Sequence, residues 1–180
     1  MGAAAVVLAA GESTRFGAPK QRLLLPAVLA RLAEAPVDEI IVVEGAHRLE
    51  LPTNRAVQGI PTRLVRCPDW NRGPGASLRC GVDALAPSVD VAVVVLADGP
   101  NLARESVDRV LGVWRETGGI VAASYDGARG HPLALGRDLW SDVPDEGLHS
   151  RAVHLVPCDD LGAPGDVDTP ADLPPELEEG

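Results

Sequence analysis

Ala3-Ala4-Ala5-Val6-Val7-Leu8-Ala9-Ala10-Gly11-Glu12-Ser13-Thr14-Arg15-Phe16-Gly17-Ala18-Pro19-Lys20 opens as an unbroken apolar run and changes character at Gly11. A short apolar run that ends at glycine reads as a buried strand, with no polar face to turn toward water. The polar residues after it read as a loop. Lys20, which closes the loop, is the only lysine in the chain; the other fifteen basic residues are arginines. Lysine is a compact point charge on a flexible stem and arginine a planar fork, so a single lysine here suggests a place where the ammonium itself is wanted; drift in an arginine-biased sequence is the alternative.

Working outward, the same apolar signature recurs at Glu39–Val43, Thr62–Cys67, Asp90–Leu96, Ile120–Tyr125, Pro132–Gly136 and Ala152–Val156. Helical spacing is predicted for Leu23–Ala35, with Pro26 near its start, for Gly75–Leu85, for Ala103–Thr117, for a short segment reaching Val143 and for Pro170–Leu177. Ala46–Pro61 reads as polar and irregular, and Pro174–Gly180 as a frayed end. Apolar strands alternating with helices imply an α/β fold, a mostly parallel sheet covered on both faces. With 180 residues and no linker or repeat, the chain reads as one domain over residues 1–180.

Composition narrows the function. Apolar residues make up 46% and charged residues 23%, the balance of a globular protein, and aromatics only 3%, so the core is aliphatic. No stretch is long enough to span a membrane, and no basic region precedes the first apolar run as in a signal peptide, so a cytoplasmic location is expected. The net charge of −10 disfavours nucleic acid and anionic lipid as partners. It is unevenly spread: residues 1–81 hold ten Arg/Lys against seven Asp/Glu, and residues 82–180 hold six against nineteen. Cys67, Cys80 and Cys158 lie at wide spacings without a CxxC pair, and read as free thiols rather than a disulfide framework or zinc site.

Five segments could carry chemistry. In the first loop, Gly11 and Gly17 let the backbone approach a ligand, Ser13 and Thr14 add hydroxyls, and Arg15 and Lys20 add charge. That is a cradle for polyphosphate, although neither Walker A nor GxGxxG spacing is present. Asp98, just past the end of the Asp90–Leu96 strand, reaches the same sheet edge, where a carboxylate can ligate Mg²⁺; Asp98-Gly99-Pro100 is equally good turn sequence. Asp166 and Asp168 share a direction in an extended segment and one of them could complete that metal site, while Thr169-Pro170 alone would serve to start a helix. Gly73-Pro74-Gly75-Ala76-Ser77 is a small-residue helix entry, open to a ligand or merely capped by Ser77. Arg129-Gly130-His131-Pro132 turns into a strand, a setting in which histidine is ordinarily structural.

In combination these segments resemble the MobA-like NTP transferases. Leu8-Ala9-Ala10-Gly11-x-Ser13-x-Arg15-x-Gly17-x-Pro19-Lys20 is similar to their signature loop and Asn71-x-Gly73-x-Gly75-x-Ser77-Leu78-x-x-Gly81 to their second block. Asp98-x-Pro100, Gly130-His131-Pro132 and Asp166-x-Asp168-Thr169-Pro170 follow in family order. The resemblance implies a three-layer α/β/α sandwich of the Rossmann-like, nucleotide-diphospho-sugar transferase type. It further implies that the backbone of Leu8, Ala9, Ala10 and Gly11 reads a nucleobase with Ser77, that Arg15 and Lys20 hold a triphosphate, and that Asp98 and Asp168 ligate Mg²⁺. Arg15, Lys20 and Asp98 would be the catalytic residues, and Gly130 and His131 would line the acceptor side.

The Leu-Ala-Ala-Gly form resembles the cytidylyl branch, the molybdenum cofactor cytidylyltransferases. The implied reaction is Mg²⁺-dependent transfer of CMP from CTP to a phosphorylated acceptor, molybdopterin foremost, with release of pyrophosphate. A recipient molybdoenzyme or its chaperone would take the product. Alternatives are another acceptor, such as a sugar phosphate or phospholactate, and a catalytically silent accessory protein that binds the nucleotide. Departures from the family pattern cluster on the acceptor side: Leu25-Pro26-Ala27-Val28 follows Lys20 almost at once, Gly99 stands where a polar residue is common, and Asp145-Glu146-Gly147 lacks the family's first glycine.

Overall fold

The computed structural model describes residues 1–51, 56–57 and 59–178. The middle of the Ala46–Pro61 segment and the last two residues, both covered by expectations above, lie outside that description.

The initial apolar run is β1 (Gly2–Ala9), and its inner residues are fully buried because it lies between two parallel neighbours. On one side it pairs with β2 (Glu39–Glu44), Val6 against Ile41. On the other it pairs with β5 (Val89–Leu96), Val6 against Val94. Side chains alternate between faces. Ala3, Ala5, Val7 and Ala9 meet Leu25, Val28 and Leu29 of α1 (Lys20–Leu32) and Val107, Val110 and Leu111 of α3 (Arg104–Thr117). Ala4 and Val6 point the other way, to Leu78 and Val82 of α2 (Pro74–Asp83). These two cores on one sheet are the expected three layers. Helix α2 lies so close to the sheet that a Cβ on Gly81 would run into Val6 and Val43.

Among the described residues the sheet has eight strands in the order β3-β4-β2-β1-β5-β7-β6-β8. The remaining strands are β3 (Ala56–Val57), β4 (Ile60–Arg66), β6 (Ile120–Tyr125), β7 (Ala128–Gly136) and β8 (His154–Pro157). The sheet is mostly parallel, but β7 runs antiparallel to both neighbours, β5 and β6. The reversal comes from a two-residue turn in which Asp126 and Gly127 have φ of 51° and 75°. Asp-Gly with both φ positive is the hairpin turn whose twist matches flanking strands. The reversal brings the first residues of β7, among them Arg129, Gly130 and His131, to the carboxyl edge of β5.

Several expectations need correction. Pro26 sits inside α1 rather than near its start, since the helix begins at Lys20. It is tolerated because Pro26 lies on the exposed face, where water can reach the carbonyl it leaves without a donor. The expected terminal helix is divided into a 3₁₀ turn (Pro170–Asp172) and a short α4 (Pro175–Glu178). Leu173, ahead of Pro174, is forced to an extended ψ of 133°, which no helix can pass through.

The thiols differ too. Cys67 and Cys80 form a disulfide, and Cys158 is free and buried. Their separation of 13 residues carries no pairing signal; docking of α2 on the sheet brings their Cα atoms to 5.7 Å. A thiol titration of denatured, unreduced protein is expected to count one thiol, and reduction to cost about 3 kcal/mol of stability by loop-closure entropy. A count of three thiols would reject the pairing.

Candidate active site

The site forms along the carboxyl ends of β1 and β5. Beyond β1 the chain opens into the glycine loop, with Gly17 at φ 77° and Ser13 at φ 56°. The loop is held from below by Gln21, which accepts a hydrogen bond from Ser13 Oγ (2.6 Å) and donates through Nε2 to the Gly11 carbonyl (3.1 Å). Gln21 is buried, and was not singled out from the sequence. Its signal was there: it is a polar residue on the same helical stripe as Leu24, Leu25 and Val28.

Lys20 is buried to 8% exposure at the first turn of α1. Its Nζ donates to Asp98 Oδ2 (3.1 Å), the Val167 carbonyl (2.6 Å) and Asp168 Oδ1 (3.3 Å). An ammonium has three hydrogens, and all three are taken up by the protein. Arg15, itself exposed, pairs through Nη1 with Asp168 Oδ2 at 2.9 Å. Val167 N–H donates to the Asp98 carbonyl (3.2 Å), which ties the two acidic segments together. Thr169 and Asp172 stabilise the turn behind them: the Asp172 carboxylate accepts both the N–H and the hydroxyl of Thr169 at 2.8 Å. This bonding holds Asp172 below the usual carboxylate range.

Gly11, Arg15, Lys20, Asp98 and Asp168 thus line one cavity of about 270 Å³. Asp166 adjoins it; burial first, then the charges of Asp98 and Asp168, push its carboxyl above the usual range. Among the described residues no three His, Cys, Asp or Glu groups already converge as a metal cluster. The chemistry nevertheless suits a hard divalent cation. Asp98 Oδ1 is buried without a hydrogen-bond partner among the described residues, and the charges of Asp98 and Asp168 both act on the neighbouring Asp166 carboxyl.

Leu8, Gly11 and Ser77 line a neighbouring cavity of about 340 Å³ with Trp70, Asn71 and Gly73. Ser77 is buried in the first turn of α2 and does not cap it; Gly73 occupies the N-cap. Gly73 is required there twice over, by its φ of 137° and because a Cβ would strike the Asp145 carbonyl. Ala10 lines this cavity as well, whereas the Ala9 side chain packs into the core beneath α1, leaving only its backbone near the edge. Asp145 braces the region, accepting from Arg72 (2.8 Å) and from Arg79.

Gly130 and His131 lie across Leu96 from the lysine and line two cavities, of about 400 and 550 Å³. The His131 imidazole is pushed down to about 4, by burial first and then by the charge of Arg129, with Asp98 opposing. It is therefore neutral at physiological pH. Its exposed fraction is intermediate, and the low value reflects the close packing around the ring.

A family model described as the MobA-like NTP transferase domain matches residues 5–156. The chain belongs to this family of nucleotidyltransferases. Among curated proteins, the MobA-like chain is 33% identical over 160 residues to the bifunctional protein GlmU of Streptomyces coelicolor, covering 84% of this chain and 30% of that protein. It is 36% identical over 133 residues to the 2-C-methyl-D-erythritol 4-phosphate cytidylyltransferase of Xanthomonas euvesicatoria, covering 66% of this chain and 49% of that protein. The chain thus spans no more than about half the length of either of these relatives. Rv0371c of Mycobacterium tuberculosis H37Rv superposes with a TM-score of 0.78 at 29% identity, covering 99% of both chains. A second structure of Rv0371c is a complex with manganese and superposes with a TM-score of 0.68 at 24% identity.

Proposed function

We propose that this MobA-like protein transfers CMP from CTP to a phosphorylated acceptor, molybdopterin foremost, and releases pyrophosphate. One observation carries the reading: Lys20 joins Asp98 and Asp168, from distant parts of the chain, directly beneath a glycine loop at the carboxyl edge of the sheet. In nucleotidyl transfer an oxygen of the acceptor phosphate attacks the α-phosphorus while the pyrophosphate oxygen leaves. Such chemistry is accelerated by positioning and charge neutralisation rather than by a protein nucleophile.

The roles follow. Backbone of Leu8–Gly11 and the Ser77 hydroxyl face the base. Arg15 and Lys20 draw the triphosphate, and Gly130 and His131 border the acceptor. Asp98 and Asp168 would hold Mg²⁺, which when bound supplies positive charge to the phosphate oxygens. The Leu-Ala-Ala-Gly loop and the kinship to a cytidylyltransferase favour cytosine. The whole chain is proposed to act as one nucleotidyltransferase domain in the cytoplasm, passing product to a molybdoenzyme or its chaperone. The charge of −10 argues against nucleic acid, and no described helix is long and apolar enough to cross a membrane.

A second reading rests on a specific feature. All three Lys20 hydrogens are engaged by protein acceptors, which suits an accessory protein that binds a nucleotide without turning it over. Pyrophosphate release is to be measured with CTP, GTP, ATP and UTP, Mg²⁺, and molybdopterin, sugar phosphate or phospholactate. Release with CTP and molybdopterin is the expected result. Tight CTP binding without release under any pairing would establish the accessory role instead.

A further inference from the structure

Arg129 stands apart from the other arginines around the site. Arg15 is paired with Asp168, and Arg72 and Arg79 both with Asp145. Arg129 has no carboxylate partner among the described residues. Its Nη1 donates to two backbone carbonyls, Leu148 (2.8 Å) and Arg151 (3.4 Å), while Nε and Nη2 make no protein hydrogen bond there. The side chain is nevertheless part-buried, and burial alone lowers its pKa below the usual arginine value. A desolvated cation without a counter-charge is costly, and an anion brought to it offsets that cost.

Arg129 also lines both cavities on the far side of Leu96. The larger, about 550 Å³, is walled by Leu8, Pro74, Leu78, Val94, Leu133 and Leu148. Its other polar side chains are His131, which is neutral, and Glu146 and His149, which are exposed at the mouth. A polyhydroxylated guest would leave hydroxyls without partners against such walls, at roughly 1–3 kcal/mol for each group left unsatisfied. A flat, apolar-faced guest would not. Leu96 lines this cavity and the Lys20 cavity alike, so a phosphate held here adjoins the bound triphosphate.

We infer that the acceptor is a phosphomonoester with a flat, apolar-faced body rather than a sugar phosphate, and that the Arg129 guanidinium binds its phosphate against the leucine-walled cavity. The inference rests on the proposed nucleotidyl transfer for the identity of the guest as acceptor, but its binding test does not.

Phenyl phosphate, glucose 1-phosphate and phenol serve as probes in calorimetric titrations of the full chain, with CTP titrated separately. Phenyl phosphate is expected to bind at least tenfold more tightly than either other probe. Arg129→Gln is expected to weaken it at least tenfold and Arg129→Lys less, with CTP affinity the same in all three proteins. Equal affinities, a preference for glucose 1-phosphate, or an unchanged Arg129→Gln overturns the inference. So does phenyl phosphate that competes with CTP and ignores Arg129, since it would then occupy the Arg15–Lys20 cavity. Should Arg129→Gln fail to fold, the ranking of the three probes on the wild type decides. Loss of CTP binding with the phenyl phosphate site intact would sink the nucleotidyl-transfer reading and spare this one.

Discussion

Replacing Lys20 by arginine is expected to lower pyrophosphate release at least a hundredfold, although the formal charge is unchanged. Three acceptors surround Nζ at 2.6 to 3.3 Å, and the side chain is only 10% exposed. A compact ammonium can point one hydrogen at each acceptor. A planar guanidinium is larger, its donors are fixed in a fork, and it cannot enter the niche without displacing Asp98 or Asp168. The loss should fall on turnover, in the range seen when one transition-state donor is removed, roughly 10²–10³. Lys20→Met tests the structural share of the same residue. It leaves two carboxylates with one neutralising charge fewer and is expected to cost about 3 kcal/mol in urea unfolding, the cost typical of breaking a largely buried ion pair from one side. Wild-type rates in Lys20→Arg would refute the role assigned to the ammonium.

Asp98→Asn should abolish the dependence of activity on divalent cation and reduce the rate on the order of a hundredfold or more. The substitution keeps the shape of the side chain and removes its charge. Asp98 Oδ1 is the buried oxygen without a hydrogen-bond partner among the described residues, so an amide there removes the acceptor best placed for a metal. Binding of Mn²⁺ to the nucleotide-free protein, followed by electron paramagnetic resonance, supplies a readout apart from activity and should weaken in step. A second consequence has a definite sign. Asp98 contributes to holding the Asp166 carboxyl above its usual range, so in Asp98→Asn that carboxyl should deprotonate at lower pH. Metal titration curves identical to those of the wild type would remove Asp98 from the proposed ligand set.

Much of the architecture was legible before any coordinates. The alternation of Ala3–Ala9 between two cores follows from a run buried on both faces. The glycines and the lone lysine marked the loop that here lines a cavity with Asp98 and Asp168. Other features were present but unread. Tyr125-Asp126-Gly127-Ala128 is strong hairpin sequence, but an alternation of strands and helices does not by itself give strand direction, so the reversal of β7 shows only in the sheet pairing. Gln21 carries no charge and sits on an apolar helical stripe, so only its bonds to Ser13 and Gly11 show its role in the loop. Arg129 appeared only as the preface to Gly130-His131, because nothing local distinguishes an arginine that will find a carboxylate from one that will not.

The amino-acid order by itself determined where most strands and helices lie, that the first strand is buried on both faces, and that a glycine-bearing loop with Arg15 and Lys20 follows it. Those properties depend on periodicity and on backbone freedom over a few neighbouring residues. Tertiary structure alone decided the partners: Lys20 with Asp98 across 78 residues and with Asp168 across 148, Cys67 with Cys80, and Arg129 beside the leucine-walled cavity with no carboxylate paired to it among the described residues. The physical reason is that these are contacts between ends of different elements. Sheet order and helix docking set such distances, and no local pattern records them.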